Sequence, residues 1–285
     1  MIVWLASYPK SGNTWVKSFI ASLLYTNDGK ASLNNLHKKI DQYPMRRQFS
    51  NFLSEFNDLS LVKKNWIFSQ DLINLDSKIK FLKTHNINCK IGDDHFTNKE
   101  NTLGVIYIAR DPRNVLTSLK YHFSKKNYDE TLKMLFDKNH GTGTMDNPSK
   151  TGLDNDICTF ISSWGIHYNS WKNTKDNFLL VRYEDLIKED GKEFFRISNY
   201  LEKVLNITID NKKIENAIKT NSFENLKKLE QKYGFAEQIT NKSDGKKKKF
   251  FNLGKDNRWE TLLDTKYAKA IEKEFDNEMK ELKYI

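Results

Sequence analysis

Cysteine is scarce in this 285-residue chain, where Cys89 and Cys158 are the only two. Two thiols in no metal-ligand spacing exclude both a disulfide framework and a cysteine-built metal site. Proline is limited to four residues and glycine to twelve, and nowhere do they gather with serine into a linker that would split the chain. Long apolar runs are missing too. Lys, Asn and Asp interrupt every hydrophobic stretch well short of the roughly 20 residues a membrane-spanning helix requires, so the expectation is a soluble protein. The opening Met1-Ile2-Val3-Trp4 leaves no room for a basic, apolar and cleavable leader, which makes the cytoplasm the expected compartment. No internal repeat is present, and Lys246 to Lys249 is the one low-complexity feature.

Aromatic residues, by contrast, are plentiful, with six Trp and eighteen Phe, so a sizeable core can form even in a lysine-rich chain. The length suits one α/β domain with insertions, and a single domain over residues 1–285 is expected. Lys and Arg exceed Asp and Glu to give a formal charge of +10. That surplus attracts anions in general: a nucleotide with several phosphates, a nucleic acid or an anionic membrane surface.

The patterning then orders the chain. Ile2 to Ala6 reads as a buried strand, Ser7 to Gly12 as a polar loop, and Val16, Phe19, Ile20, Leu23 and Leu24 recur at helical spacing. Ile79 to Thr84, Leu103 to Ala109 and Phe178 to Val181 read as further strands, the first two ending at His85 and Arg110. Pro112 opens a helix whose apolar face is Val115, Leu116, Leu119 and Phe123. Ile157, Phe160, Ile161, Trp164, Tyr168 and Trp171 predict another, and Tyr267 to Leu282 a terminal one. Residues 125–155 read as a long excursion, either a lid or acceptor-binding loop or a floppy insertion. Apolar strands alternating with helices imply an α/β fold with a central parallel sheet flanked by helices on both faces. In such sheets ligands bind at the carboxyl ends of the strands, where the loop at Ser7, His85 and Arg110 all fall.

Ser7-Tyr8-Pro9-Lys10-Ser11-Gly12-Asn13-Thr14-Trp15 lies between a strand and a helix, so its N–H groups and the helix N-terminus should converge on an anion. It is not the triphosphate signature, which sets a lysine directly after the second glycine; here Lys10 precedes the sole glycine. The loop resembles the 5′-phosphosulfate loop of sulfotransferases that use 3′-phosphoadenosine 5′-phosphosulfate (PAPS), usually Tyr-Pro-Lys-Ser-Gly-Thr-Thr-Trp, with Asn13 the one departure. The resemblance assigns Lys10, Ser11, Gly12, Asn13 and Thr14 to the 5′ phosphosulfate and Trp15 to stacking on the adenine. Val105 to Val115 followed by Ser118 and Tyr121-His122-Phe123 resembles the 3′-phosphate segment, in which Arg110 and Ser118 would grip the terminal phosphate as a guanidinium fork plus a hydroxyl. Leu82-Lys83-Thr84-His85 is similar to the Lys-Thr-His segment that supplies a general base, His85. An imidazole suits that task because its unperturbed pKa lies near neutrality. His37, His95, His122, His140 and His167 have no comparable sequence context. Val181-Arg182-Tyr183-Glu184-Asp185-Leu186 resembles the segment whose tyrosine, here Tyr183, approaches the adenine.

Phe250, Gly254 and Trp259 keep the spacing of the family's last motif, and Gly254 is the cofactor-binding residue there. The basic pair usual before that glycine is replaced by Asn252 and Leu253. A weaker or rearranged grip on the 3′-phosphate is expected, with Lys249, Lys255 or the lysine run behind Lys249 as the compensating charge and backbone N–H groups around Gly254 as further donors.

The resemblance implies a nucleotide-kinase-like P-loop architecture and sulfuryl transfer from PAPS to an acceptor hydroxyl or amine by in-line displacement, with His85 as base and Lys10 and Lys83 neutralising charge. It implies no metal, and a small-molecule, lipid or glycan acceptor rather than a nucleic acid. Phe49, Phe52, Phe56, Tyr121, Phe123 and Tyr128 are candidates either for an apolar acceptor pocket or for core. Two rival readings stand beside it. A magnesium-dependent P-loop phosphoryl transferase would need the complete triphosphate motif and a metal-holding aspartate after a strand. A polyanion binder working through Lys246 to Lys249 accounts for the charge but not for Lys10, His85 or Arg110.

Overall fold

The computed structural model describes residues 1–30, 39–143, 157–174, 177–188, 190–235, 237–238, 245 and 247–285. Nine strands occur among them: β1 (Ile2–Ala6), β2 (Asp41–Gln42), β3 (Lys80–Thr84), β4 (Lys90–Ile91), β5 (Asp94–His95), β6 (Thr102–Ala109), β7 (Gly141–Thr142), β8 (Thr159–Phe160) and β9 (Phe178–Arg182). Five of these make the central sheet, in the order β2-β3-β1-β6-β9, while β4-β5 and β7-β8 form two-stranded ladders. The pairs β2–β3, β1–β3 and β1–β6 are parallel. Parallel neighbours need long crossovers, which is why the spatial order departs from the chain order. All five residues of β1 are buried, as expected of a strand enclosed on both faces.

The chain divides into two compact units. The first consists of Met1–Tyr8, Asp41–Ile108 and Met134–Leu180. Its core is aromatic: Trp4 lies 5.4 Å from both Tyr43 and Phe96 and 6.1 Å from Trp171, and Trp66 lies 5.3 Å from Phe96. Trp4 and Tyr43 satisfy their buried polar tips, as burial favours, whereas Trp66 Nε1 has no hydrogen-bond partner among the described residues. The Trp4 indole donates to Thr102 Oγ1 at 3.0 Å, and the Tyr43 hydroxyl to the Trp66 carbonyl at 3.0 Å.

Pro9–Ile40, Ala109–Lys133 and Val181–Ile285 compose the second unit. It is helical, with Asn13–Tyr25, Pro112–His122, Lys192–Leu205, Asn211–Thr220 and Phe223–Tyr233 as its longer members. Pro112 occupies the first turn as predicted, and the Asp111 side chain caps the helix by accepting from Arg113 N. Asp111 and Glu272 flank the buried Arg113 guanidinium, which also stacks 4.1 Å over the Trp259 ring.

Three expectations change. The helix foreseen from Ile157 begins only at Trp164 and runs to Lys172. Thr159 and Phe160 pair instead with Gly141 and Thr142, Phe160 N donates to Asn86 Oδ1, and Ser162 turns the chain at a φ of 62°. Tertiary hydrogen bonds there outbid the local helical period. The terminal helix is broken into Thr265–Glu274 and Asp276–Glu281, with Phe275 between them out of helical geometry and buried. Part of the 125–155 excursion is ordinary structure, a helix at Tyr128–Phe136 followed by β7, and positions 144–155 lie outside the described residues. Among the described residues, no helix is long and apolar enough to cross a membrane.

Candidate functional site

His85 follows the last residue of β3 and is half-buried. Its Nδ1 lies 2.7 Å from the Ser7 carbonyl oxygen and 3.4 Å from Ser7 Oγ. A carbonyl can only accept, so Nδ1 carries the hydrogen and Nε2 is the nitrogen with the lone pair. The backbone around the imidazole is fixed from several sides. His167 Nε2 donates to the His85 carbonyl at 3.1 Å, the Trp171 indole to the Asn86 carbonyl at 2.9 Å, and Asn86 N to Thr84 Oγ1 at 3.0 Å. His167 in turn accepts from the Tyr107 hydroxyl at 2.9 Å through Nδ1. Burial, reinforced by the neighbouring His85, pushes the His167 imidazole down to about 3, so it stays neutral. Lys83, two residues before His85, is buried at the end of the same strand. Every one of these residues belongs to the first unit.

That unit also carries a half-open pocket of ≈ 280 Å³ with Leu59, Ile91, Cys158 and Phe160 among its walls. Of the aromatic residues weighed for an acceptor pocket or for core, Phe56 is buried in the first unit, where its carbonyl accepts from Cys158 N at 2.6 Å. Phe49 is fully buried against Tyr43 and Phe52, and Tyr121 and Phe123 are surface residues of the second unit.

In the second unit the loop after Pro9 takes a shape most residues avoid. Lys10 has a φ of 69° and Gly12 a φ of 100°. The left-handed region is costly for a side chain, and at Gly12 an added Cβ would lie 2.6 Å from the Tyr183 ring as well. What holds Lys10 in that strained form is Arg110, whose Nη1 donates to the Lys10 carbonyl at 2.9 Å. The Arg110 guanidinium stacks 4.0 Å over the Tyr183 ring. Glu184 supports the next residue, accepting from Asp111 N at 3.0 Å, and burial pushes its carboxyl above the usual carboxylate range. Lys10 Nζ reaches 3.2 Å from His122 Nδ1 and sits 4.5 Å over the Phe250 ring. Ser118 and His122, four apart on one helix, share a face.

Beyond Gly12, Thr14 and Trp15 begin the helix Asn13–Tyr25, which has neither a side-chain cap nor an acidic residue in its first turn. Trp15 is wedged among Tyr183, Phe194 and Phe223, with centroids 5.6 to 5.9 Å away, and its indole donates to the Asn221 carbonyl at 2.6 Å. Gly254 belongs to the same cluster: a Cβ there would lie 2.4 Å from the Phe223 ring. The residues after it are clamped to the helix Pro112–His122, with Thr117 Oγ1 donating to Asn257 Oδ1 at 2.9 Å and Trp259 N to Asn114 Oδ1 at 2.9 Å. Lys10, Ser11, Gly12, Asn13, Thr14, Trp15, Arg110, Ser118, Tyr183 and Gly254 therefore all fall in one unit. Of the lysines near Gly254, Lys248 reaches that helix by donating to the Tyr121 carbonyl at 2.6 Å, while Lys249 and Lys255 are exposed.

Two atoms of this cradle stand out. Ser11 Oγ and Arg110 Nε are buried and make no hydrogen bond among the described residues. Buried donors left unpaired are expensive, so a loop that keeps two of them is shaped for an acceptor arriving from outside.

The Sulfotransferase domain family matches residues 2–283. The chain belongs to the sulfotransferase family. It is 25% identical over 289 residues to the amine sulfotransferase of Oryctolagus cuniculus, an alignment covering 99% of this chain and 83% of that one. To cytosolic sulfotransferase 13 of Arabidopsis thaliana it is 26% identical over 277 residues, covering 94% and 74%. Among solved structures it resembles retinol dehydratase in complex with androsterone and the inactive cofactor PAP, with a TM-score of 0.61, 19% identity and coverage of 98% of this chain and 80% of that chain. That likeness establishes the fold of this sulfotransferase as the P-loop-like α/β architecture that the motif resemblance implied, built on the parallel sheet expected from the strand pattern.

The sequence did not single out His122, His167 or Glu237. His167 had a usable signal, since with Trp164, Tyr168 and Trp171 it completes an i, i+3, i+4, i+7 stripe. Glu237 had none, because nothing local distinguishes a loop glutamate that contacts Thr14 and Lys17 from any other.

Proposed function

We propose that this sulfotransferase moves a sulfuryl group from PAPS to the hydroxyl or amine of a small-molecule acceptor, acting as one domain over residues 1–285. The observation that carries the donor assignment is the pair of unsatisfied buried donors, Ser11 Oγ and Arg110 Nε. PAPS, when bound, supplies the sulfuryl group and has both a 5′ and a 3′ anionic end for such donors. Lys10, Ser11, Asn13 and Thr14 hold the 5′ end, with Gly12 admitting the close backbone approach. Arg110 and Ser118 hold the 3′-phosphate, Trp15 and Tyr183 shape the adenine side, and the backbone around Gly254 contributes N–H groups.

On the acceptor side, His85 Nε2 takes the proton as the acceptor attacks. The Ser7 carbonyl keeps the imidazole in the tautomer that can do so. Lys83 supports the charge that develops on the transferred group and Lys10 that on the leaving group, each worth about 3 kcal/mol if well aimed. The mostly apolar cavity beside Phe160 supports an acceptor with a small apolar body.

Thermal unfolding with 3′-phosphoadenosine 5′-phosphate (PAP) in chelator, against magnesium ATP, tests this reading. PAP at ~100 times its dissociation constant should add about 2.7 kcal/mol of stability, and Lys10→Ala and Arg110→Ala should each lose that gain. Stabilisation by magnesium ATP alone would sink the proposal and favour a phosphoryl transferase.

A further inference from the structure

Thr14 and Lys17 stand three residues apart at the start of the helix Asn13–Tyr25, and both are buried, 5% and 3% exposed. The uncapped first turn of that helix has no acidic residue of its own, so its N–H groups and partial positive charge favour an anion. A carboxylate from the same unit supplies one. Glu237, in the connection after the helix Phe223–Tyr233, accepts from Thr14 Oγ1 at 2.7 Å and from Lys17 Nζ at 3.3 Å. The Lys17 ammonium accounts for why the contact forms, since a buried cation without a counter-charge is strongly destabilising. Its consequence falls on Thr14. A hydroxyl has one proton to give, and a proton donated to Glu237 is not available to a phosphate oxygen. The carboxylate also repels any anion that approaches the same hydroxyl.

We propose that Glu237 is an affinity-determining residue of the anion-binding loop: an internal counter-anion that an incoming anion must displace from Thr14. The observed affinity for an anion is then the intrinsic affinity reduced by the fraction of molecules in which Glu237 has let go. Displacement exacts the same toll on every anion that takes the loop, whatever else that anion touches. Applied to PAPS, the inference rests on the assignment of Thr14 to the donor's 5′ end.

Calorimetric titration of the full chain with PAP, and separately with inorganic sulfate, tests it in wild type, Glu237→Gln, Glu237→Asp and the double variant Lys17→Met/Glu237→Gln, with melting temperatures recorded. Gln keeps an acceptor for Thr14 but removes the charge. The double variant removes the buried ammonium together with its partner, and decides the matter if Glu237→Gln alone unfolds early. Glu237→Gln and the double variant should bind both ligands about tenfold more tightly with their ratio unchanged, and Glu237→Asp should stay near wild type. Unchanged or weaker binding of both ligands by variants that melt like wild type overturns the proposal. Tighter sulfate with no PAP binding by any protein supports the counter-anion and removes the PAPS assignment instead.

Discussion

The two compact units solve different problems with the same material. Around His85, the ring and its backbone are fixed by polar contacts from Ser7, His167, Trp171 and Thr84. Around Lys10 the backbone is strained and held by Arg110, while Ser11 Oγ and Arg110 Nε stay unsatisfied. The first arrangement is held by polar contacts within its own unit, and the second keeps two buried donors without a partner among the described residues, as the proposed donor site requires. A group that must present one nitrogen in one tautomer benefits from being locked beforehand. A group of donors meant for several phosphate oxygens has to leave them open.

Substitutions that separate chemistry from binding test this contrast most severely. His85→Asn should lower turnover by about 10²–10⁴-fold yet leave PAP stabilisation intact in a thermal-shift assay; loss of PAP binding would show that the division of labour is wrong. A smaller effect is expected at the strained loop. Gly12→Ala places a methyl 2.6 Å from the Tyr183 ring at a φ of 100° and should destabilise the protein by roughly 2 kcal/mol, with PAP affinity falling alongside. A melting temperature equal to wild type would mean that the loop and Tyr183 move apart freely.

His167 sharpens the comparison from the other side. Its folded pKa, about 3, is depressed below the unfolded value of about 6.5. Between those values the unfolded chain binds a proton that the folded chain refuses. Its contribution to stability is therefore fully present above about pH 6.5 and is lost progressively as pH falls toward 3. Denaturant unfolding of wild type and His167→Gln at pH 7, 6 and 5 should give a shallower acid slope for the variant; parallel slopes would mean that His167 titrates normally. The smallest effect belongs to the exposed Lys255, where alanine should weaken PAP binding about threefold, and less at high salt. An unchanged dissociation constant at low salt would remove Lys255 as a stand-in for the basic pair lost at Asn252 and Leu253.

The sheet and its loops were readable because burial on both faces writes itself as continuous apolar runs, and β1, β3, β6 and β9 came within a residue or two of the predicted limits. The glycine at 12 and the proline at 112 were equally plain, since each is demanded by local backbone geometry. The helix expected from Ile157 failed for the opposite reason: Phe160 obeys partners at Asn86 and Gly141 that lie far away in sequence.

The amino-acid sequence alone determined β1, β3, β6 and β9, the loop after β1 and the sulfotransferase motifs, because these depend on residues that are neighbours along the chain. Tertiary structure decided which tautomer His85 holds, which carboxylate meets Thr14, and that Lys10 lies against His122 and Phe250. Those outcomes depend on hydrogen bonds closed between segments 78 to 223 residues apart, for which no local pattern of side chains can be a signal.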